Sequence, residues 1–398
     1  MKRPFPTLRL HLSSFFFLLS SFLFPLSSSQ VAAQRQYSNP VINNSVPDPT
    51  VIRTPQGIYY LYGTENIRNV PVYASRNLVD WSYRGTAFTD ATRPQMVPGG
   101  NIWAPDINLI GDRYVMYYSK STWGGEWECG IGVATASRPD GPFTDVGKLF
   151  ISSEIGVQNS IDPFYIEEDD GRKYLFWGSF RGIYGIELSD DGLSVKPGAE
   201  KVQIAGTLTE GTYILKHDGY YYLFGSAGTC CEGLNSTYRV VVTRSAQLFG
   251  PYVNKAGQPA MENNFVPLLN KSNRVVGPGH NSEIVQDDAG QYWMLYHGFD
   301  ANDPDGGRKV YLDKVTWGSD GWPVIRNRQP SETADAPLFG NEASVPFVAV
   351  PTPPTTSPQS LYRLDGQRLA HPAPGPFSPG IVIEQLPDGT SRKVAIGE

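Results

Sequence analysis

The stretch Gly219-Tyr220-Tyr221-Tyr222-Leu223 is the clearest copy of a pattern that occurs five times in this chain of 398 residues. In each copy a glycine in a polar turn is followed at once by aromatic and aliphatic residues, which is typical of a β-strand after a tight turn. The other copies begin at Gly57, Gly111, Gly171 and Gly290. The pattern therefore predicts five copies of one β-unit.

Each copy continues with a strand of small or β-branched residues, such as Val240-Val241-Val242-Thr243, and a further turn, such as Gly250-Pro251-Tyr252. A unit of four short strands buries its faces only against its neighbours, so the units must stack or close into a ring. We expect an all-β fold, a five-bladed β-propeller over residues 37–340 with a short C-terminal tail. We assign the tyrosines of these strands to packing between blades. A β-sandwich would also explain frequent turns, but not five copies of one unit.

The composition agrees with many short strands and excludes one class of partner. The chain has 41 Gly, 33 Pro and 12% aromatic residues, which suits tight turns and a surface that can hold sugars. Its net charge is −6 and it has no long run of Lys or Arg. Because binding to phosphates needs a basic surface, nucleic acid is not an expected partner.

The two ends of the chain differ from the repeats. Residues 1–33 combine early basic residues, the apolar run Phe15-Phe16-Phe17-Leu18-Leu19 and a small-residue stretch, as in a cleaved secretory signal peptide. A membrane anchor needs about 20 uninterrupted apolar residues, and serines interrupt this run. We expect no membrane span and a secreted, periplasmic or cell-surface location. Residues 341–358 are predicted to be a Pro/Thr-rich linker, and residues 359–398 a small tail for sorting or attachment, or a disordered one.

Three carboxylates occupy the same phase of the repeat. Nine residues before the five glycines lie Asp48, Ile102, Asp162, Glu210 and Asn281. In a ring of blades these positions would face one another across the centre. An Asp before Pro usually indicates a turn, but three acids in one phase are not explained that way, because their mutual repulsion costs energy. Converging carboxylates are what hydrolysis of a glycosidic bond requires.

Inversion at a sugar carbon needs one carboxylate that activates water and one protonated acid that releases the leaving oxygen, ~6.5–9.5 Å apart. A third acid would raise the pKa of the proton donor and orient it. Glu210, with its longer side chain, is the better proton donor. Spacing alone leaves the other two roles open.

Several motifs, in order along the chain, resemble those of glycoside hydrolase family 43: Pro47-Asp48-Pro49, Asn101-Ile102-Trp103-Ala104-Pro105-Asp106, Ser160-Ile161-Asp162-Pro163, Thr209-Glu210-Gly211 and Gly277-Pro278-Gly279-His280-Asn281-Ser282. The resemblance implies a five-bladed propeller of inverting arabinanases, arabinofuranosidases and xylosidases. By motif position it implies that Asp48 is the general base and Glu210 the general acid. Asp162 would then tune and orient Glu210.

The segment from Gly225 to Tyr238 resembles arabinan-degrading members, in which the His of a Gly-His-Asn-Ser motif helps to hold a hydrated calcium ion. Carried over, that residue is His280, and Ca2+ is the implied cofactor; a hydrogen-bonded structural His is the alternative. Because Ca2+ prefers oxygen ligands, one His would be only part of a shell made largely of water.

The residues also suggest where the sugar binds. Trp103 and Asn101 lie beside the predicted centre in the second blade, and Arg308 could reach it from the fifth, although an exposed turn charge explains Arg308 equally well. Indole faces stack on sugar rings. For Trp123 and Trp127 ordinary loop packing is an equal alternative. Cys230 and Cys231 could form a vicinal disulfide, stay reduced, or include one bond to Cys129.

We therefore expect an inverting glycoside hydrolase of α-L-arabinofuranosidic bonds, with α-1,5-arabinan as its leading substrate. Plant cell-wall arabinan or arabinoxylan, or oligosaccharides from them, would be the partner. An exo-acting α-L-arabinofuranosidase or β-xylosidase remains open, because Pro47 stands where similar endo-arabinanases often carry His. A non-catalytic carbohydrate-binding propeller is the alternative of another class, and the three acids argue against it.

Overall fold

A computed structural model describes residues 35–340, together with the backbone of four short strands between residues 360 and 396. The described residues all belong to the unit Arg35–Glu398. The predicted signal peptide at 1–33 and linker at 341–358 lie outside the described residues, as does most of the predicted tail at 359–398.

Five antiparallel sheets follow one another along the chain, and the predicted five-bladed propeller is confirmed. The first blade contains β2 Thr50–Arg53, β3 Tyr59–Tyr62, β4 Pro71–Ser75 and β5 Ser82–Thr86. The second contains β6 Asn101–Ile110, β7 Arg113–Ser121, β8 Gly130–Ala136 and β9 Thr144–Ile151. The third contains β10 Phe164–Glu167, β11 Lys173–Trp177, β12 Ile183–Glu187 and β13 Val202–Ala205. The fourth contains β14 Thr209–His217, β15 Tyr220–Ala227, β16 Arg239–Ser245 and β17 Val266–Leu269.

The fifth blade departs from the pattern because its first strand is broken. The blade contains β18 Val275–Gly279, β19 Ile284–Gln286, β20 Tyr292–Asp300, β21 Asp303–Trp317 and β22 Pro323–Ile325. Both β18 and β19 pair with β20, with Gly279 opposite His297 and Ile284 opposite Met294. Residues 280–283 therefore bulge out of the sheet between the two pieces.

Short helical pieces lie in the connections: α1 Ser152–Ile155 and the 3₁₀ turns Gly233–Asn235, Ala260–Glu262 and Arg326–Arg328. None of the helices within residues 35–340 has the length or the apolarity that a membrane crossing demands.

The repeated glycines have a conformational reason. Gly57, Gly111, Gly171, Gly219 and Gly290 have φ angles of 77°, 63°, 82°, 77° and 73°. This left-handed region is costly for residues with a Cβ atom and free for glycine. The turn between the first two strands of every blade therefore requires the residue that marks the repeat in the sequence.

The core lies between the blades. One apolar cluster joins the first blade to the second, another the second to the third, and a third the fifth to the first. The largest cluster joins the third, fourth and fifth blades. Tyr59, Tyr62 and Tyr222 are fully buried in these clusters, which confirms the packing role predicted for them. Tyr220 is 38% exposed, so the prediction is wrong for that tyrosine.

The two ends of the propeller domain are joined. Strand β1, Gln36–Ser38, pairs antiparallel with β23, Thr333–Asp335. The backbone of Val41 and Ile42 then bonds to Val310 in the fifth blade. The first strand of the domain thus fastens to its last part, which closes the ring.

In the C-terminal segment, strands β24 Ser360–Arg363, β25 Arg368–Leu369, β26 Gly380–Gln385 and β27 Ser391–Ile396 form a sheet in the order β25-β24-β26-β27.

Candidate active site

The start of the first strand in each blade has an unusual backbone. Positive φ angles occur there at the five axial positions, which are Asp48, Ala104, Asp162, Gly211 and His280. The φ values of Asp48 and Asp162 are 53° and 60°, a region that non-glycine residues rarely adopt. Such strain clusters at functional sites. The first strands of the first four blades, β2, β6, β10 and β14, contact one another in turn, so their axial positions lie on the same side of the blades, towards the centre of the ring.

A second ring of residues holds the axial positions. These hub residues lie within three residues of the end of the second strand of each blade, and they are Thr64, Ser119, Ser179, Ser226 and His297. Four of them accept the backbone N–H of the axial residue in the next blade. The donors and N···acceptor distances are Ala104 to Thr64 at 2.8 Å, Asp162 to Ser119 at 2.8 Å, His280 to Ser226 at 2.7 Å and Asp48 to His297 Nδ1 at 3.0 Å.

The fourth blade uses its hub contact differently. The Ser179 hydroxyl donates to Oε2 of Glu210 at 2.5 Å instead of accepting a backbone N–H. The N–H of the axial residue Gly211 goes to Oδ2 of Asp162 at 3.2 Å. The hub hydroxyl at this blade therefore contacts a side chain that can carry chemistry.

The neighbours of Asp48 favour its ionised form. Arg308 Nη1 lies 3.0 Å from its Oδ1, and the Thr64 hydroxyl donates to its Oδ2. Burial is the largest single influence and by itself would raise the pKa of Asp48. Arg308, His280 and His297 together outweigh burial and hold that pKa well below its usual range. The structure thus brings Arg308 to the centre in contact with Asp48, and the alternative of an exposed turn charge is wrong.

Glu210 is buried and held at both oxygens. Ser179 binds Oε2, and the Tyr238 hydroxyl donates to Oε1 at 2.8 Å. Burial raises the pKa of Glu210, although the two hydroxyls act in the opposite direction and the charge of Asp48 adds to the rise.

Asp162 is also buried, and it interacts with both other acids. Burial raises the pKa of Asp162 well above its usual value, and the charges of Glu210 and Asp48 raise it further. Because burial and mutual repulsion act on Asp162 and Glu210 together, this pair retains a proton that isolated carboxyl groups would lose. The three channel carboxyls, Asp48, Asp162 and Glu210, are therefore close enough to influence one another.

The other two positions of the predicted phase behave differently. Ile102 does not face the other positions, because it is fully buried in the apolar cluster between the first two blades. Its neighbour at the axial position is Ala104, displaced by the irregular register between Trp103 and Asp106. Asn281 is buried beside His280, and its Oδ1 has no hydrogen-bond partner among the described residues.

Two histidines contact Asp48. The Nδ1 atoms of His280 and His297 lie 3.3 Å and 3.1 Å from its Oδ1. Burial lowers the pKa of His280, and burial together with the Arg308 charge lowers the pKa of His297 to about 4. Because Nδ1 of His297 accepts the Asp48 N–H, the neutral ring carries its proton on Nε2.

The sequence pattern did not identify the hub residues or Tyr238 as site residues. A signal was present: Thr64, Ser119, Ser179, Ser226 and His297 lie seven or eight residues after the five repeat glycines. Counting forward from the glycines, as well as backward, would have found them. Tyr238 has no counterpart in that phase and becomes visible only in the fold.

The predicted sugar-binding residues lie around the second blade. Asn101 is exposed at the start of β6, and the half-buried Trp103 has its ring 6.3 Å from that of Trp123. Trp123 is 83% exposed, so ordinary loop packing does not explain it. The loop that carries it is anchored by Glu126, which forms an ion pair with Arg181.

A second group of buried acids lies along the same inner strands. Asp106 and Glu283 share a hydrogen bond, and burial raises the pKa of each. Thr50 and the backbone of Val51 donate to Glu283 at 2.7 Å and 2.6 Å. The Asp106–Glu283 pair links the first, second and fifth blades and has no cation beside it among its described contacts.

The cysteines form one bond. Cys230 and Cys231 are joined by a disulfide in the loop before Tyr238, and Cys129 is a buried free thiol. Of the three options, the vicinal bridge is the one that the structure contains.

Comparison with known proteins agrees with the fold and the motifs. The family model described as glycosyl hydrolases family 43 matches residues 37–323. An extracellular endo-α-(1→5)-L-arabinanase of Bacillus subtilis is 33% identical over 293 residues, 71% of this chain and 88% of that protein. An extracellular exo-α-(1→5)-L-arabinofuranosidase of Cellvibrio japonicus is 31% identical and covers 71% of this chain and 87% of its own length.

Among solved structures, an α-L-arabinanase of Cellvibrio cellulosa in complex with arabinohexaose has a TM-score of 0.65 and 31% identity, covering 71% of this chain and 96% of its own. The family match spans most of the propeller and contains all three channel carboxyls. The chain belongs to glycosyl hydrolases family 43.

Proposed function

We propose that this glycoside hydrolase cleaves α-L-arabinofuranosidic bonds in α-1,5-arabinan with inversion at the anomeric carbon. The observation that carries the proposal is the pairing of opposite protonation tendencies in one buried site. Arg308, with His280 and His297, favours the ionised form of Asp48, whereas burial favours the protonated form of Glu210. Two carboxyl groups driven apart in this way suit a base and an acid.

In the proposed reaction Asp48 accepts a proton from a water molecule whose oxygen attacks the anomeric carbon. Glu210 gives its proton to the leaving glycosidic oxygen as the bond to that carbon breaks. The two groups end with exchanged protonation states, and solvent restores them. Asp162, through repulsion and its bond to the Gly211 N–H, keeps the proton on the pair and fixes the backbone beside Glu210.

Endo action is the leading form of the proposal, and exo action is the second candidate. The endo-acting and exo-acting relatives match this chain at similar identity, 33% and 31%. The exposed Trp123 beyond Trp103 supports contact with several sugar units.

The test is digestion of linear α-1,5-arabinan, with aryl α-L-arabinofuranoside and aryl β-xyloside assayed beside it. An endo enzyme releases a spread of oligomers early, whereas an exo enzyme releases one small product from the start. Proton NMR of the first product reads the anomer and tests inversion. Absence of cleavage of any arabinofuranoside would defeat the proposal.

We also propose that a largely hydrated Ca2+ is held by His280. Across residues 35–340 no three His, Cys, Asp or Glu side chains are grouped as metal ligands, so a cage of protein ligands does not fit. The unpartnered Asn281 Oδ1 and His297 Nε2 do fit neighbouring waters. When bound, such an ion would supply positive charge near the carboxylates.

Calorimetric titration of Ca2+ into the chelator-treated protein tests the metal, with His280→Ala as the variant and melting as a second readout. We expect saturable binding and a raised melting temperature in the parent, and neither in the variant. Identical melting and activity with and without chelator would remove the metal from the proposal.

Finally, we propose that the chain is exported with cleavage near Ala33. The two relatives are named as extracellular. N-terminal sequencing of the mature protein is the test: a start near Gln34 is expected, and a retained Met1 in exported protein would contradict it.

A further inference from the structure

Tyr238 lies between the proposed acid and the proposed base. Its side chain is 1% exposed, and its hydroxyl donates to Oε1 of Glu210 at 2.8 Å. Its ring stacks on the imidazole of His297, with centroids 5.6 Å apart and planes 12° from parallel. His297 in turn accepts the backbone N–H of Asp48. Tyr238 therefore contacts the proposed acid, Glu210, through its hydroxyl. Through its ring it contacts His297, which holds the backbone of the proposed base, Asp48.

The surrounding chain is built to admit this ring. A Cβ atom on Gly279 would lie 2.1 Å from Cδ1 of Tyr238, and one on Gly277 would lie 2.8 Å from Cβ of Ser236. Real Cβ atoms do not approach so closely, because packed interiors leave no such overlap. The two glycines of the Gly-Pro-Gly motif thus make room for the segment that ends at Tyr238.

The loop before Tyr238 is closed on itself. The N–H groups of Thr237 and Tyr238 both donate to the carbonyl of Thr229 at 3.1 Å. The Cys230–Cys231 disulfide lies directly after Thr229, inside this closed loop. These contacts limit the ways in which the Tyr238 backbone can move, so the hydroxyl is presented to Glu210 from a fixed point.

We propose that Tyr238 is a positioning residue for the hydrolysis: its hydroxyl orients the Glu210 carboxyl, and its ring steadies the His297 imidazole behind Asp48. This inference deepens the proposed function and relies on Glu210 as the proton donor. The hydroxyl stabilises the ionised form of Glu210 and so opposes the effect of burial. Removing it must shift the titration of Glu210 to higher pH.

Other groups act on the same carboxyl and must be held constant in the test. The charged or titratable groups that face Glu210 are Asp48, Asp162, Arg308, Tyr238 and, across Gly211, His280. Only a change at Tyr238 that leaves the others in place isolates its role.

The decisive variant is Tyr238→Phe, which keeps the ring and removes the hydroxyl. Its control is Tyr252→Phe in the same blade, because the buried Tyr252 hydroxyl donates only to the Leu248 carbonyl, at 2.7 Å. Carboxyl-¹³C NMR of glutamate-labelled protein, with Glu210→Gln assigning the signal, follows the titration of Glu210 without any substrate. We expect a higher pKa for Glu210 in Tyr238→Phe and an unchanged one in Tyr252→Phe.

Kinetics supply a second readout. We expect kcat of Tyr238→Phe on arabinan to fall about 10-fold or more, a share of the 10²–10⁴-fold that general acids contribute, with KM nearly unchanged. The loss should be smaller on a dinitrophenyl arabinofuranoside, whose leaving group needs little protonation. The basic limb of the pH profile should move to higher pH.

Replacement of Tyr238 by 3-fluorotyrosine tests the same idea in the opposite direction. Fluorine makes the phenol a stronger donor while keeping its shape, so the Glu210 titration should move to lower pH. If Tyr238→Phe does not fold, this variant decides. An unchanged titration in either folded variant overturns the proposal, as does a loss of kcat equal for all leaving groups. A parent that cleaves no arabinofuranoside would instead defeat the proposed function, and the NMR titration would still decide the role of Tyr238.

Discussion

The hub residue that faces the fourth blade makes a different contact from the other four hub residues. In four blades the hub residue accepts the backbone N–H of the next axial residue, as Ser226 does for His280. Between the third and fourth blades, Ser179 instead donates a hydrogen bond to the side chain of Glu210. Four hub contacts thus hold axial backbone with positive φ angles, and one holds the side chain of an acid. The difference indicates that removal of a hub hydroxyl should have two distinct consequences, one for stability and one for chemistry.

The largest expected effect comes from the acid itself. Glu210→Gln keeps the shape of the side chain and one oxygen that accepts a hydroxyl hydrogen bond, but it cannot deliver a proton. We expect kcat on arabinan to fall by about 10²–10⁴-fold, as for loss of a general acid. Initial rates on matched samples measure it. Full activity in this variant would show that the fourth blade holds no acid and would end the comparison.

The next largest effect concerns the pKa of Asp48, the axial residue of the first blade. Arg308→Met removes the cation that opposes burial, so the pKa of Asp48 must rise and the acidic limb of the pH profile must move to higher pH. Each unit of that shift costs about 10-fold in rate on the acidic side. Arg308→Lys keeps the charge and should retain much of the low-pH activity. An acidic limb that stays in place in Arg308→Met would contradict the assignment of Asp48 as the base.

Two alanine variants compare the hub positions directly. Ser179→Ala should raise the pKa of Glu210 and lower kcat, by about 10-fold if its share resembles that of other hydrogen bonds to charged groups. Ser226→Ala should leave kcat nearly unchanged and cost about 1–3 kcal/mol of unfolding free energy, because the His280 N–H loses its acceptor in a buried place. Chemical denaturation and rate measurements on both variants are needed. Equal effects on kcat would break the distinction between the two kinds of hub contact.

The smallest expected effect is on stability, and it concerns two buried acids that lie outside the hub contacts. Asp106 and Glu283 are buried acids that serve no hub contact, and both have raised pKa values. Their contribution to stability is complete below the usual carboxyl pKa, about 4, and is lost as pH rises through the raised value. Asp106→Asn mimics the protonated state at every pH. We expect this variant to lose that pH dependence and to gain ~1–2 kcal/mol over the parent at alkaline pH, since one pKa unit is worth about 1.4 kcal/mol.

The control for this prediction is Asp320→Asn at the surface, where the ion pair with Lys255 is exposed. Because Lys255 lowers the pKa of Asp320, this variant should change the pH dependence of unfolding at acid pH alone and leave the alkaline part as in the parent. A steeper alkaline loss of stability in Asp106→Asn would contradict a shared proton between the two acids.

Much of the fold was predictable because its cause is local. The five repeat glycines lie in turns that require a positive φ angle, so the sequence has a glycine at the same place in every blade. Asp48, Asp162 and Glu210 keep a fixed distance from those glycines for the same reason. Ile102 does not take the predicted axial position, because an irregular register in β6 shifts that position to Ala104. Such a bulge has no sequence signal as clear as the turn glycine.

The electrostatic contacts of the site were harder to predict from the sequence. Arg308 contacts Asp48 across 260 positions of chain, and Tyr238 reaches Glu210 only after a loop closes on itself. Such contacts depend on ring closure and on where single side chains are aimed, whereas the repeat pattern records only spacing.

Ring closure has a consequence for when the protein first acquires activity. Asp48 belongs to the first blade, but the acceptor of its N–H and the guanidinium that ionises it, His297 and Arg308, come from the last. A nascent chain that has folded four blades would hold the proposed proton donor, Glu210, without the contacts that prepare the proposed base, Asp48. Synthesis of the final blade, and the joining of β1 to β23, would therefore convert an inert precursor into a competent catalyst in one step.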